Sequence, residues 1–152
     1  MYTMLDKKGK GNNERRKMTR EYQVKRLKSY VLPEAVYRQA LWAVKDVNRL
    51  REELALAIEE IDNIHSPDFF NESVGKGIYS DITAKKADRL IALTNRIDSI
   101  EAAMFSIPER YRQGMRDKLI DGGTFDDSFH PNTWKKWQQV FIFNVAKNLG
   151  LM

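Results

Sequence analysis

Apolar residues recur at helical spacing along most of the chain, and this spacing predicts an all-α fold. Two sets advance in alternating steps of three and four residues: Val47, Leu50, Leu54, Ala57, Ile61 and Ile64, and then Leu90, Leu93, Ile97, Ile100, Met104 and Ile107. They predict long helices from about Pro33 to Ile64 and from about Ile82 to Phe105. Residues 65–80 lack this spacing and contain a proline and two glycines, so we expect a loop there. Matching stripes joined by a loop predict a long antiparallel helical hairpin, but the same stripes also fit pairing between chains.

Proline residues mark the boundaries of two shorter helices. A helical pattern over residues 19–32 stops there because Pro33 pushes the preceding residue out of the helical region. Pro33 itself suits the first turn of the helix that follows. After Pro108, residues 109–120 predict another short helix, and the glycine pair that follows Asp121 is expected to end it.

The last helix is rich in aromatic residues. Its main apolar line consists of Trp134, Trp137, Phe141, Val145 and, at its end, Asn148. Four polar residues are expected to point largely away from that line: Lys135, Lys136, Gln139 and Lys147. Asn132 or Thr133 is expected to cap the start, and Gly150 to end the helix in a left-handed turn. Residues 108–149 therefore predict a helix-turn-helix, although the turn is longer than usual.

Charge divides the chain into three parts. Residues 1–30 contain ten basic and three acidic residues, a net charge of +7, whereas residues 31–105 contain nine and thirteen, a net charge of −4. Residues 106–152 contain seven and five, a net charge of +2, which completes the total of +5. We expect a basic disordered arm over residues 1–18, a helical scaffold over 19–107 and a DNA-binding helix-turn-helix unit over 108–152.

Four segments carry a resemblance to a known family: YVLPEAVYR (Tyr30–Arg38), SDITAKKA (Ser80–Ala87), IPERYR (Ile107–Arg112) and TWKKWQQVFIFNVAKNLG (Thr133–Gly150). Over about residues 19–152 the chain resembles the RinA/ArpU-type regulators of phage late genes, whose C-terminal part is a helix-turn-helix like the promoter-reading region of sigma factors. The resemblance implies a phage or prophage protein of a Gram-positive bacterium that acts in the bacterial host cytoplasm. Related chains tend to be richer in arginine where this chain has Gln138 and Gln139.

Double-stranded DNA is the partner that these features predict. On the last helix, four residues are expected to contact base edges or phosphates: Thr133, Lys135, Lys136 and Gln139. Phosphate contacts are expected from the preceding helix and from the N-terminal arm: Arg110, Arg112, Arg116, Lys118, Arg15, Arg16, Lys17 and Arg20. We interpret Trp134, Trp137 and Phe141 as core residues. Phe143 belongs either to a second packing surface or to an exposed contact patch.

Catalysis, metal binding and membrane insertion are not expected. His65 and His130 stand in different predicted loops, and the chain has no cysteine to complete a metal site. No phosphate-binding glycine loop or catalytic motif is present, so we expect neither an enzyme nor a cofactor. There is no apolar run long enough for a membrane span and no apolar stretch behind the basic N-terminus that would indicate a secretory signal.

Two other functions remain open at the level of sequence. The hairpin is expected to make a homodimer in a regulator, but the same elements occur in small terminase-like packaging subunits, which combine a helix-turn-helix with oligomerising helices. A partner-binding coiled coil with a vestigial helix-turn-helix, directed at RNA polymerase or another protein, is the third possibility.

Overall fold

A computed structural model describes Gln23, residues 26–64 and residues 76–152 of the protein. Every regular element in this part of the chain is helical, which confirms the all-α fold. The five α-helices are α1 (Glu34–Lys45), α2 (Val47–Ile64), α3 (Lys76–Met104), α4 (Glu109–Leu119) and α5 (Pro131–Asn148). A single 3₁₀ turn, Lys28–Tyr30, precedes them. The predicted arm over residues 1–18, and most of the predicted helix over residues 19–32, lie outside the described residues.

The first long predicted helix is divided at Asp46 into α1 and α2. Asp46 has φ −86° and ψ −3°, and its N–H still donates to the carbonyl of Trp42 at 3.0 Å, so the division is a local turn. α3 begins at Lys76, which corrects the expected start near Ile82. A glycine near its beginning favoured a loop in the sequence, but glycine costs only about 1 kcal/mol inside a helix and does not forbid one.

α5 is the central helix of the main core. Phe141, Ile142, Val145 and Ala146 are fully buried, because α1, α3, α4 and the 3₁₀ turn all pack around this helix. The same hydrophobic cluster includes Tyr37 and other residues of α1, so it joins residues on both sides of the expected boundary at 107/108. The helices of the predicted C-terminal unit therefore share one core with the predicted scaffold.

A smaller cluster holds α2 and α3 together. Its buried members are Leu50, Ala57, Leu93 and Ile97, with Leu54 packed at its edge. Two ion pairs flank this cluster, Glu53 with Arg89 at 2.8 Å and Glu60 with Lys86 at 3.7 Å. Residues later in α2 therefore meet residues earlier in α3, within one chain. From here on, "the arm" means these two helices, α2 and α3, and not the basic segment predicted over residues 1–18.

The ends of α5 are defined by specific hydrogen bonds. The imidazole Nδ1 of His130 accepts from the backbone N–H of Asn132 at 3.1 Å, so His130 caps the helix. The expectation that Asn132 or Thr133 is the cap is wrong, because both residues already lie in the first turn. At the other end, Gly150 has φ +69° and the N–H of Leu151 donates to the carbonyl of Ala146 at 2.9 Å. The expected left-handed ending at Gly150 is confirmed.

Candidate nucleic-acid interface

The junction of α4 and α5 is built around Trp134. Its ring is 2% exposed, stacks on Phe125 at 4.6 Å with an interplanar angle of 7°, and meets Tyr111 edge-on at 5.6 Å. The indole Nε1–H donates to the carbonyl of Asp126 at 3.3 Å. A Cβ on Gly114 would lie 2.3 Å from the Trp134 ring, so only glycine allows α4 this close to the indole. Trp134 therefore fixes the position of α4 against the start of α5.

The segment between α4 and α5, residues 120–130, is tied back onto this junction. Gly122 has φ +73°, the left-handed conformation in which a residue with a side chain would be strained. Further along, the N–H of Ser128 donates to Asp126 Oδ1 at 3.1 Å, and Phe129 packs edge-on against Tyr111 at 4.7 Å. The connection is longer than the three- or four-residue turn typical of a helix-turn-helix, but aromatic contacts pack it onto the core.

Several cations on this side of the molecule lie over aromatic rings. The distances from the charged group to the ring centroid are 4.9 Å for Arg110 over Tyr111, 4.8 Å for Arg112 over Phe105, 5.1 Å for Lys118 over Phe125 and 4.8 Å for Lys136 over Trp137. None of these four cations forms an ion pair with a carboxylate among residues 26–64 and 76–152. Rings attract cations without neutralising them, so these four charges are not cancelled by a carboxylate, although the Nε of Arg112 also donates to the carbonyl of Ile107 at 3.1 Å. We call these four cations the ring-bound cations.

Among the residues expected to contact DNA from α5, three lie near its accessible start. Lys136 is exposed, whereas Thr133 and Lys135 are half-buried. The N–H of Thr133 donates to the carbonyl of His130 at 2.9 Å, within the capped first turn. Beyond this turn the helix enters the core. The last turn is exposed again at Lys147 and Asn148, so the accessible parts of α5 are its two ends.

Gln139 does not belong to this surface, and the expectation that it faces outward is wrong. Its side chain is fully buried, and its Nε2 donates to the carbonyl of Tyr30 at 3.1 Å. Projection of a single helix missed this because α5 packs against other elements on several sides. The neighbouring Gln138 is half-buried and donates to the hydroxyl of Tyr37 at 3.3 Å. Phe143 joins the same packing surface, since its ring meets Tyr30 edge-on at 5.2 Å.

Arg116, another residue of the expected set of phosphate contacts, pairs with a carboxylate of the protein. Its guanidinium donates to both carboxylate oxygens of Glu101, at 2.9 and 2.6 Å, and thereby joins α4 to α3. The hydrogen bond from Arg116 lowers the pKa of Glu101, and Arg51 of α2 adds a further hydrogen bond to the same carboxylate. The charge of Arg116 is therefore compensated inside the protein. Four other expected contacts lie outside the described residues: Arg15, Arg16, Lys17 and Arg20.

Sequence reasoning missed three contributors to this region. His130 gives a local signal, because it precedes a proline at the first position of a helix, but imidazole is not a common cap. Gly114 stands within a helical pattern, which is a signal for close packing. Lys45 gives no signal at all, because only the fold brings it, from α1, into the same surface depression as Lys118 and Lys135.

Two features are absent from the described residues: a cluster of metal-binding side chains and a helix able to span a membrane. Residues 26–64 and 76–152 hold no cluster of three or more histidine or carboxylate side chains suited to a metal ion. No helix in these ranges combines the length and apolar character needed to cross a bilayer. Comparison of the chain with family models, with curated proteins and with solved structures gave no match.

Proposed function

We propose that the protein is a DNA-binding transcriptional regulator of phage or prophage late genes. The observation that carries the DNA-binding part is the set of ring-bound cations, which keep their charge available to a polyanion. Phosphate contacts by lysine and arginine release condensed counterions, and this release drives association with DNA. The late-gene role rests on the resemblance to the RinA/ArpU-type regulators.

The burial of α5 suggests how the contact is made. In a helix-turn-helix, the residues at the N-terminus of the second helix contact base edges. Thr133, Lys135 and Lys136 occupy that position, and the partial positive charge of the helix N-terminus adds to theirs. In our proposal α5 approaches the major groove with its first turns, and Arg110 and Arg112 follow the flanking phosphates.

A homodimer is part of the proposal because the arm leaves large apolar side chains exposed. Leu56 is 60% exposed, Ile58 45% and Ile91 54%. Burial of such side chains against a second copy is favourable, and two copies would present two α5 N-termini to neighbouring half-sites. The regulator is expected to sediment as a dimer of 17.8 kDa chains, whereas a packaging subunit would form a larger ring.

Salt-dependent DNA binding tests the proposal. We expect the full chain to bind a fluorescein-labelled pool of random duplexes with micromolar affinity at low salt, because non-specific contacts have Kd values of about 10⁻⁴–10⁻⁶ M even at physiological salt. The double variant Lys135→Gln/Lys136→Gln removes two charges from the first turns of α5. The slope of log K against log salt should then fall in magnitude by about 2, since each phosphate contact contributes about 0.9.

The control variant is Lys147→Gln, which removes an exposed charge from the last turn of the same helix. It should leave the slope nearly unchanged if contact is made by the start of α5. Absence of binding by the wild type at low salt would overturn the proposal. An effect of Lys147→Gln as large, per charge, as that of the double variant would show attraction to net charge alone and would equally contradict it.

A further inference from the structure

A cleft of about 990 Å³ lies beneath the connection between α4 and α5. Its floor is formed by Leu41 of α1, the end of α4 and the ring of Trp134, and its roof by residues 122–130. Cavities that bind small molecules typically have volumes of about 300–1,000 Å³ and mostly apolar walls with a few polar groups. The size and the lining of this cleft are both typical of a small-molecule site.

Three lysines from three different helices line the cleft: Lys45 of α1, Lys118 of α4 and Lys135 of α5. None of them forms an ion pair with a carboxylate in the described ranges. The Nζ of Lys45 lies over the Trp42 ring, 5.1 Å from its centroid, and the Nζ of Lys118 lies over Phe125 of the cleft lining. A bound anion would be attracted by these positive charges. The lysines therefore indicate the charge of a ligand.

The carboxylates in the lining do not reverse this preference. Asp126 and Asp127 belong to the roof, and Asp126 Oδ1 already accepts the N–H of Ser128 at 3.1 Å. Three amines against two carboxylates leave the lining with a net charge of +1, with His130 neutral. The lysines belong to the helices, and the two aspartates belong to the connecting segment.

The aromatic wall indicates the shape of the ligand. Phe125 and Trp134 lie parallel at 4.6 Å, and the Nζ of Lys118 is 5.1 Å from the centroid of the Phe125 ring. Trp134 is only 2% exposed and covers one face of Phe125, so a flat apolar body would pack mainly against Phe125. An anionic group attached to that body would be attracted to the lysines of the lining. We propose that this cleft binds a flat aromatic anion, that is, an aromatic ring system with one carboxylate, sulfonate or phosphate group.

The cleft shares Lys118 and Lys135 with the proposed DNA contact, so its test uses no DNA. The probe is 1-anilinonaphthalene-8-sulfonate, whose fluorescence rises when it leaves water, titrated into the full chain. We expect saturable binding to one site, and an affinity at least about tenfold lower in Lys118→Gln/Lys135→Gln, because the variant loses two charge-assisted contacts to the sulfonate. The matched control is Lys136→Gln/Lys147→Gln, which removes two lysines outside the cleft and should change Kd less than twofold.

A second probe separates the site from general apolar binding. N-phenyl-1-naphthylamine has the same ring system without the sulfonate, so the wild type should bind it more weakly than the sulfonate, and the two cleft lysines should no longer matter. Near-ultraviolet circular dichroism establishes that each variant remains folded. Absence of saturable binding by the folded wild type would overturn the inference, and so would equal sulfonate affinities of the cleft variant and the control.

Discussion

In the arm, five cations lie against carboxylates, whereas in α4 and at the start of α5 four cations lie over aromatic rings. Arg89 meets Glu53 at 2.8 Å on the surface of the arm, but Lys136 of α5 lies 4.8 Å from the centroid of Trp137. Both arrangements attract a cation, yet only the carboxylate cancels its charge. The four ring-bound cations therefore keep their charge, and all of them lie in α4 and α5.

The two regions also differ in what holds the helices together. The arm has a narrow cluster of aliphatic side chains around Leu93 and Ile97, each still 8–9% exposed. The α4–α5 junction is centred on Trp134, which packs against three other aromatic rings. Two of the ring-bound cations, Arg110 and Lys118, lie over rings that pack against Trp134. Changes at the junction should therefore affect stability and charge placement together, whereas changes on the arm should affect neither strongly.

The largest expected effect comes from Gly114→Ala. The added Cβ would lie 2.3 Å from the Trp134 ring, and the buried indole has no room to move. Overpacking of this kind costs about 1–3 kcal/mol, whereas the same substitution in an open helix stabilises by up to about 1 kcal/mol. We expect urea denaturation to show a net loss of free energy of unfolding and a blue or red shift of the tryptophan emission. An increase in stability would contradict the packing of α4 against the Trp134 ring.

The sequence pattern predicted the all-α fold, because helical spacing records which side of each helix meets the core, but it missed the division at Asp46 and the start of α3 at Lys76. Leu50, Ala57, Leu93 and Ile97 are buried as their spacing indicates. The pattern failed for Gln139, since a buried amide with a partner at Tyr30 looks, in sequence, like any surface glutamine. The spacing of apolar residues indicates one buried side of a helix. It does not predict that α5 is buried on several sides by other helices.

The candidate interface was less predictable for the same reason. Local charge placed Arg110, Arg112, Arg116 and Lys118 together on one helix, but it did not show that Glu101 of α3 pairs with Arg116. Residues distant in sequence decide whether a cation is paired with a carboxylate of the protein. The charge of a surface is therefore a tertiary property, and the sequence alone overestimated the number of available arginines on α4.

A second, smaller effect on stability is expected where the arm meets α4. Glu101 receives hydrogen bonds from Arg116 of α4 and Arg51 of α2, and it is only 25% exposed. The variant Glu101→Gln leaves both guanidinium groups without a compensating charge. We expect it to lower the free energy of unfolding by roughly 1–2 kcal/mol at neutral pH, between the values for exposed pairs and for buried charged hydrogen bonds.

The pH dependence of Glu101→Gln follows from the lowered pKa of Glu101 in the folded protein. A carboxylate with a lowered folded-state pKa contributes its full stabilisation when the pH is above its unfolded-state pKa, near 4.5. It loses that stabilisation as the pH falls through the lower pKa of the folded state. The difference between wild type and variant should therefore be largest at neutral pH and shrink below about pH 4.5. A difference that stays constant from pH 7 to pH 3 would show that the hydrogen-bonding geometry, rather than the charge, is responsible.

The smallest effect is expected on the arm, from a double-mutant cycle with Glu53→Gln and Arg89→Gln. Glu53 and Arg89 form the same kind of carboxylate–guanidinium pair as Glu101 and Arg116, and the hydrogen bond from Arg89 lowers the pKa of Glu53. The difference is exposure, because the Arg89 side chain is 56% exposed. Water and the entropy of two mobile side chains offset most of the attraction between exposed ions. The coupling should be close to the error of the cycle and disappear at about 1 M salt, where the Debye length is about 3 Å. A coupling energy as large as that of Glu101 with Arg116, or one that does not change with salt, would contradict this expectation. Burial would then not distinguish the two ion pairs. The difference between the arm and the α4–α5 junction would rest on the aromatic rings alone.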